Sequence, residues 1–223
     1  MSGLAATVGL LLCGAASASA ADITASPECC TFTAGPFSQA QGETANFLNL
    51  DEGGATSFHN VTAQGLGPDG DPLFSSETIL GAGATTPVEG TEYLPAGSYP
   101  FVCSLHASMT GNLEVTGDGT PVARPGVKLS VTAQKLKQVR KSGKLKVKVT
   151  PIAPATDVTL EVKKGSKLIG KVEGLSVTTG AKTVPVKLTK SGLKAIKKGK
   201  KISFAVSAQV PWGKPAKTNR ALR

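Results

Sequence analysis

Four side chains able to do soft-metal chemistry stand close together or at a suggestive distance: His59, Cys103, His106 and Met109. Three lie in the run Cys103-Ser104-Leu105-His106-Ala107-Ser108-Met109, and His59 lies 44 residues upstream. The chain has two histidines and two methionines, one of them the initiator, so both imidazoles and the internal thioether belong to this set. A thiolate, two imidazoles and a thioether form the donor set of a trigonal His2Cys site with a long axial Met. Thiolate and thioether select copper, and two imidazoles keep Cu(II) accessible alongside Cu(I). Zinc fits less well, because it rarely accepts a thioether. Taken singly, a buried Cys packs as a small hydrophobe and a Met fills a core; taken together, their placement favours one copper ion. Four protein ligands leave no open position for a substrate, so the site reads as a one-electron carrier, not an enzyme.

Short alternating segments between turn signals must position these donors. Residues 47–50, 57–62, 99–103 and 111–115 read as strands, with Pro95-Ala96-Gly97 as a turn before the third. The Cys103–Met109 run is expected to be a loop joining two of them. No helical period is evident here, so the expectation for residues 22–119 is a β-sandwich or barrel.

The segment from Pro95 to Val115 resembles the copper loop of the cupredoxins, the plastocyanin, azurin, pseudoazurin and amicyanin group. His59-Asn60-Val61 resembles the other histidine segment of that family, and Asn49-Leu50-Asp51 resembles its N-x-D stretch. The two residues between His106 and Met109 resemble the short amicyanin loop, and Leu105 stands where a proline is often found. The resemblance covers about residues 27–116 and implies a Greek-key β-sandwich. It implies His59, Cys103 and His106 as equatorial ligands and Met109 as the axial one. It also implies that Asn60 ties the two ligand loops together. His106 would be the ligand edge nearest solvent, with Leu105 and Ala107 beside it where a redox protein partner docks. Asn60-Val61-Thr62 also fits a glycosylation sequon, but a glycan on such an Asn60 would disrupt the site.

Charge divides the chain sharply. Residues 1–123 hold 12 of the 15 acids and no Lys or Arg, whereas all 25 basic residues lie from Arg124 onward. This division, with Gly and Pro punctuation at 117–126, predicts two domains, 22–119 and 127–223, joined by a linker at 120–126. The basic half alternates Val, Leu and Ile with Lys, Thr and Ser at 127–132, 144–149, 158–162, 182–188 and 202–208. About seven strands in this length suggests an immunoglobulin-like sandwich, with one helical turn at 189–196. The chain is thus expected to be all-β throughout. The lysines read as a solvated strand face or as a surface for anionic cell-wall polymer or lipid headgroups. Scarce aromatics and the export signal described next argue against nucleic acid.

The apolar run Leu4–Ala16, followed by Ala18-Ser19-Ala20, reads as a secretory signal in residues 1–21, cleaved after Ala20 or Ala21. No basic residue precedes it. Cys13 loosely suggests lipidation, but the preceding Leu12 is larger than that signal requires. Export leaves Cys29, Cys30 and Cys103. The adjacent pair Cys29-Cys30 is either a vicinal disulfide or two unpaired or intermolecular thiols. The expected function is extracytoplasmic electron transfer by one Cu(I)/Cu(II) ion. Copper storage, or a surface scaffold built on this fold, are the alternatives.

Overall fold

The structure is a computed structural model describing residues 20–54 and 57–223; Cys13 and the expected export signal up to residue 19 lie outside the described residues. It is all-β, with two short helices. Two hydrophobic clusters fill it, one drawn from residues between Ala21 and Val115, the other from residues between Val127 and Leu222.

In the acidic half, β1 (Asp22–Ala25), β2 (Phe37–Ala40) and β3 (Asn46–Asn49) precede the paired β4 (Phe58–His59) and β7 (Ile79–Leu80). The remaining strands are β5 (Thr62–Ala63), β6 (Ser75–Ser76), β8 (Ala84–Glu89), β9 (Gly97–Cys103) and β10 (His106–Thr116). Eight of them form one sheet in the order β1-β3-β8-β6-β5-β9-β10-β2, parallel at β1/β3 and β10/β2. Alternation sends one side of each strand inward: Ile23 and Ala25, Phe101 and Cys103, Leu113 and Val115 are all buried. Phe101 is the hub, with Phe32 edge-on to it at 4.9 Å between ring centroids and Phe37 and Phe74 at 6.0 and 6.4 Å. Gly111 faces that ring, and a Cβ there would stand 2.3 Å from Phe101 Cζ. A single 3-10 turn at Thr91–Tyr93 joins β8 toward β9.

The basic half has the expected seven strands. β11 (Gly126–Val131), β12 (Lys144–Ala153) and β15 (Lys182–Lys187) make a three-stranded sheet. β14 (Lys167–Val177), β13 (Ala155–Lys164), β16 (Ile202–Gln209) and β17 (Ala216–Leu222) make a four-stranded one. Both contribute to one core of Val, Leu, Ile and Phe204. The helical turn expected near 189–196 is α2 (Lys190–Ile196), whose first turn is capped where Thr189 Oγ1 accepts from Gly192 N at 3.0 Å. A second helix, α1 (Leu136–Ser142), has no counterpart in the sequence reading. It buries Leu136 and Val139, three apart, and ends at Gly143 with φ 67°. Between the halves, Trp212 N donates to Asp69 Oδ2 at 2.7 Å, and Arg124 of the connecting segment donates to Trp212 O at 3.2 Å.

Candidate metal centre

The expected loop between two strands is shorter than the sequence implied. β9 runs through Cys103 and β10 begins at His106, leaving Ser104 and Leu105 as the connection. His106 pairs with Cys103 and Thr110 with Val102, so Ala107, Ser108 and Met109 form a bulge on β10. Such a bulge re-aims side chains. Met109 turns into the core and is fully buried, as Cys103 is; His106 stays half-buried. His59 arrives from β4, held against Ile79 of β7, and is buried.

Three donors converge. His59 Nδ1 and His106 Nδ1 lie 3.1 Å apart, and Cys103 Sγ lies 3.7 Å from the first and 3.6 Å from the second. Around one first-row divalent ion, bonds of about 2.0–2.1 Å to nitrogen and about 2.3 Å to sulfur place donors about 3.3–3.6 Å (N···N) and about 3.5–3.8 Å (N···S) apart, from tetrahedral to trigonal angles. The two N···S spacings fall in their window, and the N···N spacing of 3.1 Å falls slightly below its own. The residues present therefore fit a metal ion. Met109 lies in the same buried cluster as Cys103.

No family model and no curated protein matches the chain. Among solved structures, it is similar to the Cu-containing nitrite reductase NirK from Thermus scotoductus SA-01, at 26% identity over 38% of this chain and a TM-score of 0.26. The chain spans 19% of that reductase. It is also similar to a DUF3823 family protein from Parabacteroides merdae ATCC 43184, at 14% identity and a TM-score of 0.31 over 92% of this chain and 98% of that one. Superpositions this loose carry no argument about activity.

Surrounding hydrogen bonds fix the donors. His59 Nε2 lies 2.7 Å from Asp51 Oδ2, with both residues 1% exposed. That hydrogen bond is the largest influence on Asp51. With the Gly53 N–H it holds the carboxyl below its ordinary range, against the opposing effect of burial. An ionised carboxylate accepts, so Nε2–H donates to Asp51 and Nδ1 is the ring nitrogen that faces the other two donors. Asp51 is itself placed by Asn49. The Asn49 side chain donates to Ser57 O and Ile79 O, at 2.8 and 3.0 Å, and accepts from Asp51 N at 3.2 Å. Asn49 thus clamps the β4 and β7 segments that carry and support His59. Gly81 is required beside it, since a Cβ there would meet Asp51 O at 1.9 Å.

Asn60 bridges the two donor segments. Its Oδ1 accepts from Ser104 N at 2.8 Å, and its Nδ2 donates to Ser104 Oγ at 2.8 Å and Thr78 Oγ1 at 2.9 Å. The residue after His59 is therefore bonded to the residue after Cys103. At 7% exposure Asn60 is also poorly placed to carry a glycan. Leu105 is 53% exposed, and Ala107 is exposed on the other side of His106.

Two features of the site escaped the sequence reading. One is the Asp51–His59 contact, whose only signal was the N-x-D stretch ahead of the histidine. The other is the Cys29–Cys30 pair. The structure pairs the two sulfurs as a disulfide and sets them beside the site. Nothing in the spacing of these cysteines could have placed them there.

Proposed function

We propose that the chain is an exported, cupredoxin-like protein that holds one copper ion and carries single electrons. The convergence of His59 Nδ1, His106 Nδ1 and Cys103 Sγ carries this reading. Copper held by two imidazoles and a thiolate supplies one-electron exchange between Cu(I) and Cu(II). His59 and Cys103 are held from behind, by Asp51 and through the Asn60–Ser104 bonds, so the donor triangle is kept without help from the ion. Cys103 is fully buried in the same cluster as Phe37, Phe47, Phe74 and Phe101. Met109 is the axial candidate by its donor type and burial. Half-buried His106, flanked by exposed Leu105 and Ala107, offers an apolar face to a redox protein. Reversible voltammetry of the copper-loaded protein tests this: one reversible couple with retained copper supports a carrier, whereas copper lost on reduction supports storage.

The basic half is proposed to hold the protein at an anionic envelope, and one observation favours this over a merely solvated face. Lys144 and Lys187 pair directly across β12 and β15, a like-charge arrangement that costs stability. Lys128, Lys146 and Lys148 are exposed on the same sheet, and none of these five makes an ion pair among the described residues. Retention of the whole chain on acidic vesicles, released by salt, is the expected behaviour.

A further inference from the structure

The segment after β1 turns back as a hairpin: Ser26 N donates to Thr31 O and Thr33 N to Thr24 O, both at 2.9 Å, with Ala25 bridged to Phe32. Phe32 anchors the return strand edge-on against Phe47 and Phe101. The tip carries Cys29 and Cys30, and Glu52 N donates to Pro27 O at 3.3 Å, binding the tip to the Asp51 loop. The tip therefore lies over the metal centre. Both cysteine sulfurs and a ring nitrogen of His106 lie within 4.8 Å of one another. Cys29 Sγ, an Asp51 carboxylate oxygen and a His59 ring nitrogen do so as well. Cys29 is exposed and Cys30 half-buried, whereas Cys103 is fully buried.

As a staple this bond has little purpose. Disulfide stabilisation grows with the length of chain closed, and adjacent cysteines close the shortest loop available. Its position is the more informative property. Two sulfurs and an imidazole form a soft set suited to Cu(I). It sits on the solvent side of the buried donors and has His106 in common with them.

We propose that Cys29 and Cys30, once reduced, form with His106 a Cu(I)-receiving site at the mouth of the His59–Cys103–His106 centre. The metal's identity rests on the copper reading above; the ligands do not. Reduction uses a dithiol: its two electrons and two protons break the Cys29–Cys30 bond, each cysteine gains an S–H, and the dithiol becomes a disulfide. Cu(I) then displaces the two thiol protons to solvent as two Cu–S bonds form. Movement inward exchanges these thiolates, which regain their protons, for His59 and Cys103, whose thiol proton leaves as its Cu–S bond forms, with His106 common to both positions. Reoxidation by a second disulfide, which takes up the two electrons and two protons and becomes a dithiol, re-forms the Cys29–Cys30 bond and leaves the outer position without thiolates and the inner one intact.

The test uses the full chain carrying Cys103→Ser, which removes the inner thiolate but keeps the outer pair. Cu(I) alone is the probe, supplied anaerobically against a chromophoric Cu(I) chelator. Prior treatment with a dithiol, later removed, should tighten Cu(I) binding by about 100-fold or more, at or above the upper end of what losing even an outer hydrogen-bond partner of a metal ligand costs. X-ray absorption should then report two sulfurs on copper. Equal affinity for the dithiol-treated and disulfide forms overturns the site. A second variant, Cys29→Ser with Cys30→Ser, alters only the hairpin tip. It should still bind Cu(I) at Cys103 but lose the rapid loading expected of the reduced parent chain. Unchanged loading overturns the receiving role. Failure of the parent chain to bind copper at Cys103, with the reduction-dependent gain intact, refutes the electron-carrier reading and leaves the outer site standing.

Discussion

Replacing Asp51 by Ala probes the account at its most buried polar contact. Asp51 and His59 are each 1% exposed and meet at 2.7 Å, so truncation leaves the His59 Nε2–H facing no acceptor. An orphaned buried donor costs about 1–3 kcal/mol. The cost falls unequally on the two forms of the protein. Without metal, His59 can move its proton to Nδ1, where Cys103 Sγ lies 3.7 Å away. With metal on Nδ1 that escape is closed, and the orphan remains. The loss therefore appears mainly as weakened metal binding, about 10–100-fold, or about 1.4–2.7 kcal/mol. Asp51→Asn keeps an oxygen able to accept from Nε2–H and should lose less. Copper affinity by chelator competition, measured beside denaturant unfolding of the metal-free variants, separates the two effects. Parental affinity in Asp51→Ala would falsify the claim that Asp51 holds His59 with Nδ1 facing the site.

Met109→Leu conserves core volume and should fold with a cost below about 1.5 kcal/mol. It should keep a coloured copper site and raise its potential, because the oxidised ion loses a donor; loss of copper would make Met109 an essential strong ligand. Gly111→Ala places a methyl against the buried Phe101 ring, where a Cβ has 2.3 Å to Cζ, and should destabilise by about 1–3 kcal/mol in denaturant unfolding. An unchanged midpoint would show that the ring can shift freely. Burial, reinforced by neighbouring Glu92, pushes the Tyr93 phenol up to about 12, and burial also raises Tyr99. Because the folded-state values lie above the unfolded one, the folded chain retains protons that the unfolded chain releases. This contribution is intact below about pH 10 and is lost as pH rises toward 12. The tyrosinate absorbance of the folded protein should develop later than that of the denatured chain, and coincident curves would contradict the burial of both rings.

The strands and the donor set were legible in the sequence for different reasons. Alternation marked β9, β12 and β16 because each buries one face regularly. It failed at β14, where register shifts against β13 interrupt the period and Gly174 takes φ 65°. α1 is preceded by Lys135, without the Thr cap that stands ahead of the equally short α2 at Thr189. His59, Cys103, His106 and Met109 were conspicuous because so few residues of their types exist in the chain. The roles of Asn49, Asp51 and the Cys29–Cys30 tip depend on which strands meet. Parallel pairing of β1 with β3 and the turn back at Ser26–Thr31 bring the cysteines to the centre, and neither contact leaves a local trace.

The optical spectrum of the mature chain loaded with one Cu(II) tests the central claim most directly, compared with Cys103→Ser treated identically. If Cys103 Sγ bonds the metal beside His59 and His106, the parent shows an intense visible thiolate-to-copper charge-transfer band and the variant shows none. A colourless one-to-one copper complex of the parent, or the same band in both proteins, would contradict it.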